Sequence, residues 1–338
     1  MWGVHNEDPS IDFVAGGFVA IGSYLPGDLS GVAGDREALK AALSRELPDA
    51  KPRSIAGWAG ILMRFADSMQ VGDLVVHPVK SESTVAIGRI TGPYTYLGEQ
   101  VVKAHRRPVE WIKVGIPRTE FSQGALYEIG SLLAVFGVRT HCEEFLRAVD
   151  AGTGTSATTV VEEAYALDEV AAKVDEPSAA RIEQATQDFV VRTIHAELGG
   201  FEFEHLVAAI LRAMGYEARV TQATGDGGVD VLASRDRLGL EPPLIKVQCK
   251  RTTNTIGGPE VQALVGTLAH GGNERALFVT LGGFSPSARQ IAAHRHDVRL
   301  IGAEELVLLL LEHYDALPAR YRRMLPVRQV YVVDQELE

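Results

Sequence analysis

Residues 225–250 read GDGGVDVLASRDRLGLEPPLIKVQCK, and this stretch decides the fold of the second half of the chain. Its end, LIKVQCK, alternates as a strand does, so Ile245, Val247 and Cys249 face one side while Lys246, Gln248 and Lys250 face the other. A strand with a polar side of this kind must either expose that side or use it. The preceding run, GVDVLAS, holds Asp230. If the two strands are neighbours, the Asp230 carboxylate lies beside the Gln248 amide and the Lys250 ammonium.

This polar set suits phosphodiester hydrolysis. Asp230 and the Gln248 amide can hold Mg²⁺ (or Mn²⁺) by oxygen ligands, and the ion lowers the pKa of a bound water. Lys250 can orient that water and offset charge on the phosphoryl oxygens. Glu204, near the start of a helix, can supply a further carboxylate to a second metal ion or to the lysine. Asp226, in the run before Asp230, is a further candidate for a catalytic carboxylate. The alternatives are a structural ion pair for the set, a first-turn acid for Glu204 and ordinary turn chemistry for Asp226.

The elements around this set follow a regular order. A helix, FEHLVAAILRAM, precedes three strand-like runs, YEARVTQ, GVDVLAS and LIKVQCK. A helix opened by Pro259, the strand ALFVTL, a helix starting at Ser285-Pro286, the strand VRLI and the helix EELVLLLLEHY complete the pattern. The order α-β-β-β-α-β-α-β-α predicts a mixed-sheet α/β fold.

At these residues the chain resembles the catalytic domain of Mrr-like restriction endonucleases, a branch of the PD-(D/E)xK superfamily. The resemblance covers about Phe201 to Tyr314 and includes the run LFVTLGGFSPSARQIA. It implies that Asp230 is the metal-binding aspartate, that Gln248 and Lys250 are the Gln-x-Lys pair, and that Glu204 is the helix glutamate. It also implies a Mg²⁺-dependent endonuclease that hydrolyses DNA phosphodiesters. Glutamine in place of the acid of the wider pattern is itself typical of Mrr-like proteins.

The N-terminal half carries a second resemblance. The runs VGDLVVHPV, TVAIGRITGPYTY and RRPVEWIKV are similar to EVE and other PUA-like domains, which are small β-barrels that bind modified nucleobases. The similarity covers roughly Gln70 to Val114. Aromatic rings in this half can stack on a flipped base, or they can form the core of a small β-domain. The candidate rings are Trp2, Trp58, Tyr94, Tyr96 and Trp111.

A change of composition divides the chain. After Asp150 the run AGTGTSATT has little to bury. Positions 160–190 contain eight acidic residues and only two basic ones. We therefore predict a PUA/EVE-like, modified-base-binding domain over 1–150, an acidic helical linker over 151–199 and an Mrr-like nuclease domain over 200–338. The predicted fold class is α/β, with a mixed-sheet PD-(D/E)xK core preceded by a small PUA-like β-barrel.

Composition bounds the remaining possibilities. A net charge of −11 argues against a protein that coats nucleic acid nonspecifically. Basic clusters around 103–107 and 320–328 leave room for DNA-facing surfaces, or are solvated charge. The 2 cysteines are too few for a disulfide framework or a cysteine zinc site. The sequence has neither a signal-peptide pattern nor a membrane-length apolar run, so we expect a cytoplasmic protein with no membrane partner.

Together these features predict a modification-directed (type IV-like) restriction endonuclease that defends against foreign DNA, including viral DNA. Its partner would be double-stranded, modified DNA. Because cutting two strands is simplest with two active centres, we expect a homodimer or larger homo-oligomer. Two alternatives remain open: a defence nuclease activated by a small signal bound in the N-terminal domain, and a catalytically silent DNA-binding protein.

Overall fold

The computed structural model describes residues 1–338 except 7, 9, 23–26, 99, 132, 151–178, 222–227, 270–272 and 333–338. Two β-sheets organise the described residues, one in each half of the chain. Most of the acidic stretch predicted as a linker lies outside the described residues. In the described part of the chain, no helix is long and apolar enough to span a bilayer.

The N-terminal half combines short strands with helices. The strands are β1 (Trp2–Val4), β2 (Phe18–Ile21), β3 (Leu74–Val79), β4 (Thr84–Ile90), β5 (Thr95–Tyr96), β6 (His105–Pro117) and β7 (Val135–Gly137). The helices are α1 (Phe13–Gly16), α2 (Arg36–Glu46), α3 (Pro52–Met63), α4 (Gln123–Ile129) and α5 (Cys142–Asp150). A π-helical turn covers Arg64–Ser68, and 3₁₀ turns cover Lys80–Glu82 and Arg118–Glu120.

Among the described residues, these strands form one seven-stranded sheet in the order β2-β6-β4-β3-β1-β7, with β5 also paired to β6. Strand β6 is 13 residues long and pairs with β2, β5 and β4 in turn. Its register with β4 shifts between Val85 and Gly88, and such irregularities increase the twist of a sheet. The sheet is therefore curled, which confirms the prediction of a barrel-like domain.

The C-terminal half follows the predicted order of elements. Its strands are β8 (Glu217–Val220), β9 (Val231–Ser234), β10 (Leu244–Lys250), β11 (Glu274–Thr280) and β12 (Val298–Ile301). Its helices are α6 (Ala179–Glu197), α7 (Gly200–Ala213), α8 (Gly258–Val265), α9 (Pro286–Ala293), α10 (Ala303–Glu312) and α11 (Ala319–Met324), with a 3₁₀ turn over Tyr314–Ala316.

Within the described residues this second sheet has five strands in the order β12-β11-β10-β9-β8. Strands β8, β9 and β10 are antiparallel, whereas β10, β11 and β12 are parallel. The sheet is thus mixed, and the predicted α/β fold class is confirmed. The larger apolar core covers one side of the sheet with α6, α7, α10 and α11, and a smaller core lies beneath α8 and α9. As predicted, Ile245, Val247 and Cys249 pack on one core, the larger.

The two halves pack directly against each other. Helix α6 contacts both α4 and α10, and Asp188 on α6 pairs with Arg118 of the N-terminal half. A second contact brings Gly283 against Glu82. A Cβ at Gly283 would lie 2.3 Å from the Glu82 Cα, so the close approach requires glycine. Arg289 on α9 extends this contact, since its guanidinium lies 3.8 Å from the Glu82 carboxylate.

Candidate active site

Strand pairing brings Asp230 and Gln248 together. Val231 pairs with Val247 in the antiparallel register of β9 and β10, so one further step sets Asp230 opposite Gln248. The Asp230 backbone N–H donates to the Val247 carbonyl at 2.8 Å, and the Cys249 N–H donates to Asp230 Oδ2 at 2.7 Å. The strand ends therefore orient the carboxylate. In the described part of the chain, the other carboxylate oxygen makes no hydrogen bond.

The Gln248 side chain is partly buried, and its amide oxygen lacks a hydrogen bond in the described part of the chain. Its Oε1 atom has no hydrogen-bond partner among the described residues. Because buried oxygens are nearly always bonded, such an atom is suited to accept a ligand, including a cation. Gly228 helps to make this cradle: its φ is 87°, and a Cβ there would lie 3.0 Å from Gln248 Nε2. Any larger residue at 228 would crowd the amide.

Lys250 ends β10 and pairs with a residue that the sequence analysis did not single out. Its Nζ lies 2.5 Å from Oε1 of Glu260 on α8. The second carboxylate oxygen of Glu260 accepts the Gly257 N–H at 2.8 Å, which caps the start of α8. Burial acts to raise the pKa of Glu260, but the hydrogen bonds from Lys250 and Gly257 outweigh burial and leave it below its ordinary value. Glu260 is therefore held as an anion beside Lys250.

Glu204 lies in the second turn of α7, facing the same centre. The first-turn acid of α7 is Glu202, so Glu202 has the dipole-stabilising position that was the alternative role for Glu204. Burial, and then the negative charge of Asp230, raise the pKa of Glu204. Burial also raises the pKa of Asp230, against the opposing effects of the Cys249 N–H and Lys250. Two partly buried carboxylates near each other favour a bound cation, which relieves their repulsion.

The donor set fits a hard divalent cation. It offers the free oxygen of Asp230, the Gln248 amide oxygen and the Glu204 carboxylate, all of the oxygen type that Mg²⁺ and Mn²⁺ prefer. Over the described ranges, no three His, Cys, Asp or Glu side chains converge as a metal-binding group. An ion here would therefore depend on the Gln248 amide. The candidate Asp226 lies outside the described residues.

The five candidate rings of the N-terminal half do not share one environment. The indole N–H of Trp2 donates to Asp73 Oδ2 at 2.8 Å, and that of Trp111 donates to the Phe13 carbonyl at 3.0 Å. Both rings pack on the core beneath α1–α3. Trp58 on α3 is 38% exposed. Internal hydrogen bonds of this kind are what core indoles require.

Tyr94 and Tyr96 instead flank one histidine. The Tyr94 hydroxyl lies 2.8 Å from His105 Nδ1, and the two rings stack with an interplanar angle of 20°. The Tyr96 ring lies 5.0 Å from the His105 ring. Burial lowers the pKa of His105, which favours its neutral form. Together these residues form an aromatic group, the Tyr94–Tyr96–His105 cluster, at the start of β6.

A short loop, residues 251–257, connects β10 to α8 and touches the N-terminal half. The Thr119 hydroxyl donates to the Thr253 hydroxyl at 3.3 Å. Arg251 donates to the His195 carbonyl on α6. The loop thus begins beside Lys250, ends at the turn that carries Glu260, and contacts the N-terminal half at its middle through Thr253.

Comparisons with known proteins relate the segment that holds this polar centre to restriction endonucleases. Residues 195–310 match the family model Mrr_cat, described as a restriction endonuclease. The prediction of an Mrr-like catalytic domain is confirmed for this segment. Residues 4–129 match DUF8426, a domain of unknown function. The EVE/PUA-like assignment of the N-terminal half therefore stays a prediction.

One relative of this chain is the type IV methyl-directed restriction enzyme EcoKMrr of Escherichia coli (strain K12). The two are 40% identical over 116 residues, which is 33% of this chain and 38% of EcoKMrr. Similar solved structures include the MspJI restriction endonuclease in complex with a 27-mer oligonucleotide, at 17% identity and a TM-score of 0.34, covering 96% of this chain and 77% of MspJI. The DNA modification-dependent restriction endonuclease AspBHI has the same identity and TM-score, covering 75% of this chain and 67% of AspBHI.

Proposed function

We propose that this chain is a Mg²⁺-dependent, modification-directed DNA endonuclease that restricts foreign DNA. The observation that carries the proposal is the convergence of Asp230, the unpartnered Gln248 oxygen and the Lys250 ammonium at the ends of two paired strands. The Mrr_cat match over this segment supports the same activity. EcoKMrr is named as methyl-directed, which supports modified DNA as the substrate class.

In this proposal the chain's own groups divide the work. Asp230 and Gln248 would hold Mg²⁺ (or Mn²⁺), and Glu204 would supply a further carboxylate, to a second ion or to the lysine. When bound, the ion supplies Lewis acidity at the phosphate and lowers the pKa of water. Lys250 would donate hydrogen bonds to the attacking water and to the phosphoryl oxygen on which charge develops. The raised pKa of Glu204 also suits it to accept a proton from that water.

The N-terminal domain would select the substrate. The Tyr94–Tyr96–His105 cluster supports recognition of a flipped, modified base, because two rings flank a largely neutral histidine. Trp2 and Trp111 already have internal partners, so a base-binding role for them rests on the sequence prediction alone. Cleavage of both strands would use two copies of the chain, which light scattering of the DNA complex would reveal.

The test is cleavage of plasmid DNA by the purified full chain. Supercoiled plasmids isolated from methylating and non-methylating hosts are incubated with Mg²⁺, Mn²⁺, Ca²⁺ or EDTA. We expect cleavage only of the modified plasmid, and only with Mg²⁺ or Mn²⁺. Binding without cleavage under every condition would instead identify a silent DNA-binding protein.

One observation favours a second candidate, a nuclease activated by a small signal. A cavity of about 670 Å³ lies between the halves, and its lining includes Lys80, Glu82 and Thr84 from one and Thr255 and Arg289 from the other. Thr255 belongs to the loop between Lys250 and Glu260, so a polar molecule bound here would contact that loop. Cleavage of unmodified plasmid only after addition of the small-molecule fraction of phage-infected cells would favour this candidate.

A further inference from the structure

Glu260 occupies a position that the proposed chemistry does not yet use. Its carboxylate makes two contacts, one to Lys250 Nζ at 2.5 Å and one to the Gly257 N–H at 2.8 Å. The second contact anchors the carboxylate to the first turn of α8. The first contact therefore links the Lys250 ammonium to a rigid part of the fold, although the lysine side chain itself has four rotatable bonds.

The charges around Lys250 make this anchor consequential. Lys250 lies near enough to Asp230 to affect its pKa, yet its ion pair is with Glu260, and no ion pair joins it to Asp230 in the described part of the chain. A mobile ammonium released from Glu260 would find Asp230 as the adjacent anion. It would then compete with a metal ion for the same carboxylate.

Stability alone does not account for the pair. The side chains of Lys250 and Glu260 are 39% and 37% exposed, and ion pairs with this exposure contribute little to the free energy of unfolding. The same strand holds a more buried counterpart, Lys246 with Glu274, at 2.8 Å and with side-chain exposures of 19% and 17%. The more exposed of the two pairs is the one beside the candidate centre.

We propose that Glu260 is a positioning residue: it holds the Lys250 ammonium beside the reacting phosphate and away from Asp230, so that Asp230 stays free for the metal ion. This role rests on the proposed nuclease function. It adds a residue of α8 to the candidate site. None of the site residues predicted from the sequence lies on that helix.

Glu260→Gln tests the proposal in the full chain. Glutamine can still accept the Gly257 N–H, so the start of α8 is retained while the charge beside Lys250 is lost. We expect Mn²⁺ affinity, measured by electron paramagnetic resonance without DNA, to fall about 10- to 100-fold. At saturating metal, kcat should fall by a similar factor while KM for DNA is unchanged. Glu260→Asp keeps the charge on a shorter side chain, so its Mn²⁺ affinity and kcat should lie between those of the wild type and Glu260→Gln.

Glu274→Gln is the matched control, because it removes the other lysine–glutamate pair of β10. It should leave Mn²⁺ affinity and kcat at the wild-type values. Wild-type metal affinity and kcat in Glu260→Gln would overturn the proposal, as would equal losses in Glu274→Gln. If the wild-type chain binds Mn²⁺ but cuts no DNA, the nuclease function fails, and the affinity comparison alone decides the role of Glu260.

Discussion

Arg118 and Asp188 join the two halves of the chain through a bidentate ion pair. Arg118 Nε lies 2.7 Å from Asp188 Oδ1, and Arg118 Nη2 lies 2.6 Å from Asp188 Oδ2. Each residue is only 8% exposed. Removing one partner leaves a charge buried without compensation, and that cost is usually larger than the benefit of the intact pair.

Arg118→Ala and Asp188→Ala should each therefore lower the free energy of unfolding by about 3–5 kcal/mol, and the double variant should lose less than the sum. Urea unfolding measures all three. Glu37→Ala, which removes an exposed pair with Lys40, is the control and should cost no more than about 1 kcal/mol. Single-variant losses as small as the control would mean that water reaches the interface.

Asp230→Ala and Lys250→Ala should each reduce Mg²⁺-dependent cleavage about 100-fold or more, because each removes a group that the proposed chemistry needs. Circular dichroism should show an unchanged fold. Lys246→Ala is the matched control, since Lys246 lies on the same side of β10 but pairs with Glu274. Near-wild-type cleavage in either test variant would exclude this centre.

Gln248→Glu should retain metal binding, because it replaces a neutral oxygen ligand with the commoner acidic one. Gln248→Leu, similar in size but with no oxygen, should abolish it. Isothermal titration with Mn²⁺ compares the two. If the leucine variant binds as tightly as wild type, the buried Gln248 oxygen is not a ligand.

Metal affinity should fall with decreasing pH. The fall should begin at a higher pH than the pKa of an exposed carboxyl group would give. The pKa of Asp230 is raised by burial, and that of Glu204 by burial and then by Asp230, so protons compete with the metal sooner. Mn²⁺ titrations across pH measure this. An affinity profile that begins to fall only at the ordinary carboxylate pKa would contradict the raised values.

Asp230→Asn should raise the metal-free melting temperature at neutral pH. A raised folded-state pKa means that the ionised carboxylate opposes folding above that pKa, and this opposition disappears as pH falls through it. The gain should therefore shrink on acidification. Asp236 gives the opposite sign, because backbone N–H groups, first that of Leu240, lower its pKa. Asp236→Asn should therefore lower the metal-free melting temperature at neutral pH.

Tyr96→Ala should weaken binding to modified duplex with little loss of stability, whereas Trp111→Ala should cost about 3–5 kcal/mol through lost core packing. Thermal melting beside binding assays on modified and plain duplexes separates the two effects. If Tyr96→Ala keeps the full preference for modified DNA, the Tyr94–Tyr96–His105 cluster does not read the base.

The elements of the C-terminal half were predictable because each has a strong local signal. Strand β10 alternates from Ile245 to Lys250, and α8 and α9 have Pro259 and Pro286 at their starts, where proline is favoured. The N-terminal half was harder. Strands β1 and β7 have three residues each, too few to show a period, and tertiary pairing forms them.

The candidate site divides in the same way. The proximity of Asp230 and Gln248 was predicted from strand alternation together with the assumption that their two strands are neighbours. Glu260 was missed because its contact with Lys250 spans ten residues and a loop. One signal was available: Glu260 stands three residues after Gly257, the spacing of a capping glutamate. That spacing predicts a helix start, but only the fold shows which lysine lies beside it.

The loop 251–257 links Lys250 to the helix that carries Glu260, and it also contacts the N-terminal half. Lys250 adjoins one end of the loop and the turn with Glu260 adjoins the other. The N-terminal half contacts the residues between them through Thr253. Under the proposed function, a ligand that moved Thr119 would act on this loop, and through the loop on the Lys250–Glu260 pair. If the linkage acts in this way, exchanging the N-terminal module would change which stimulus starts cleavage while the cutting machinery stayed the same. The nuclease domain would then be a common effector that different N-terminal domains could regulate.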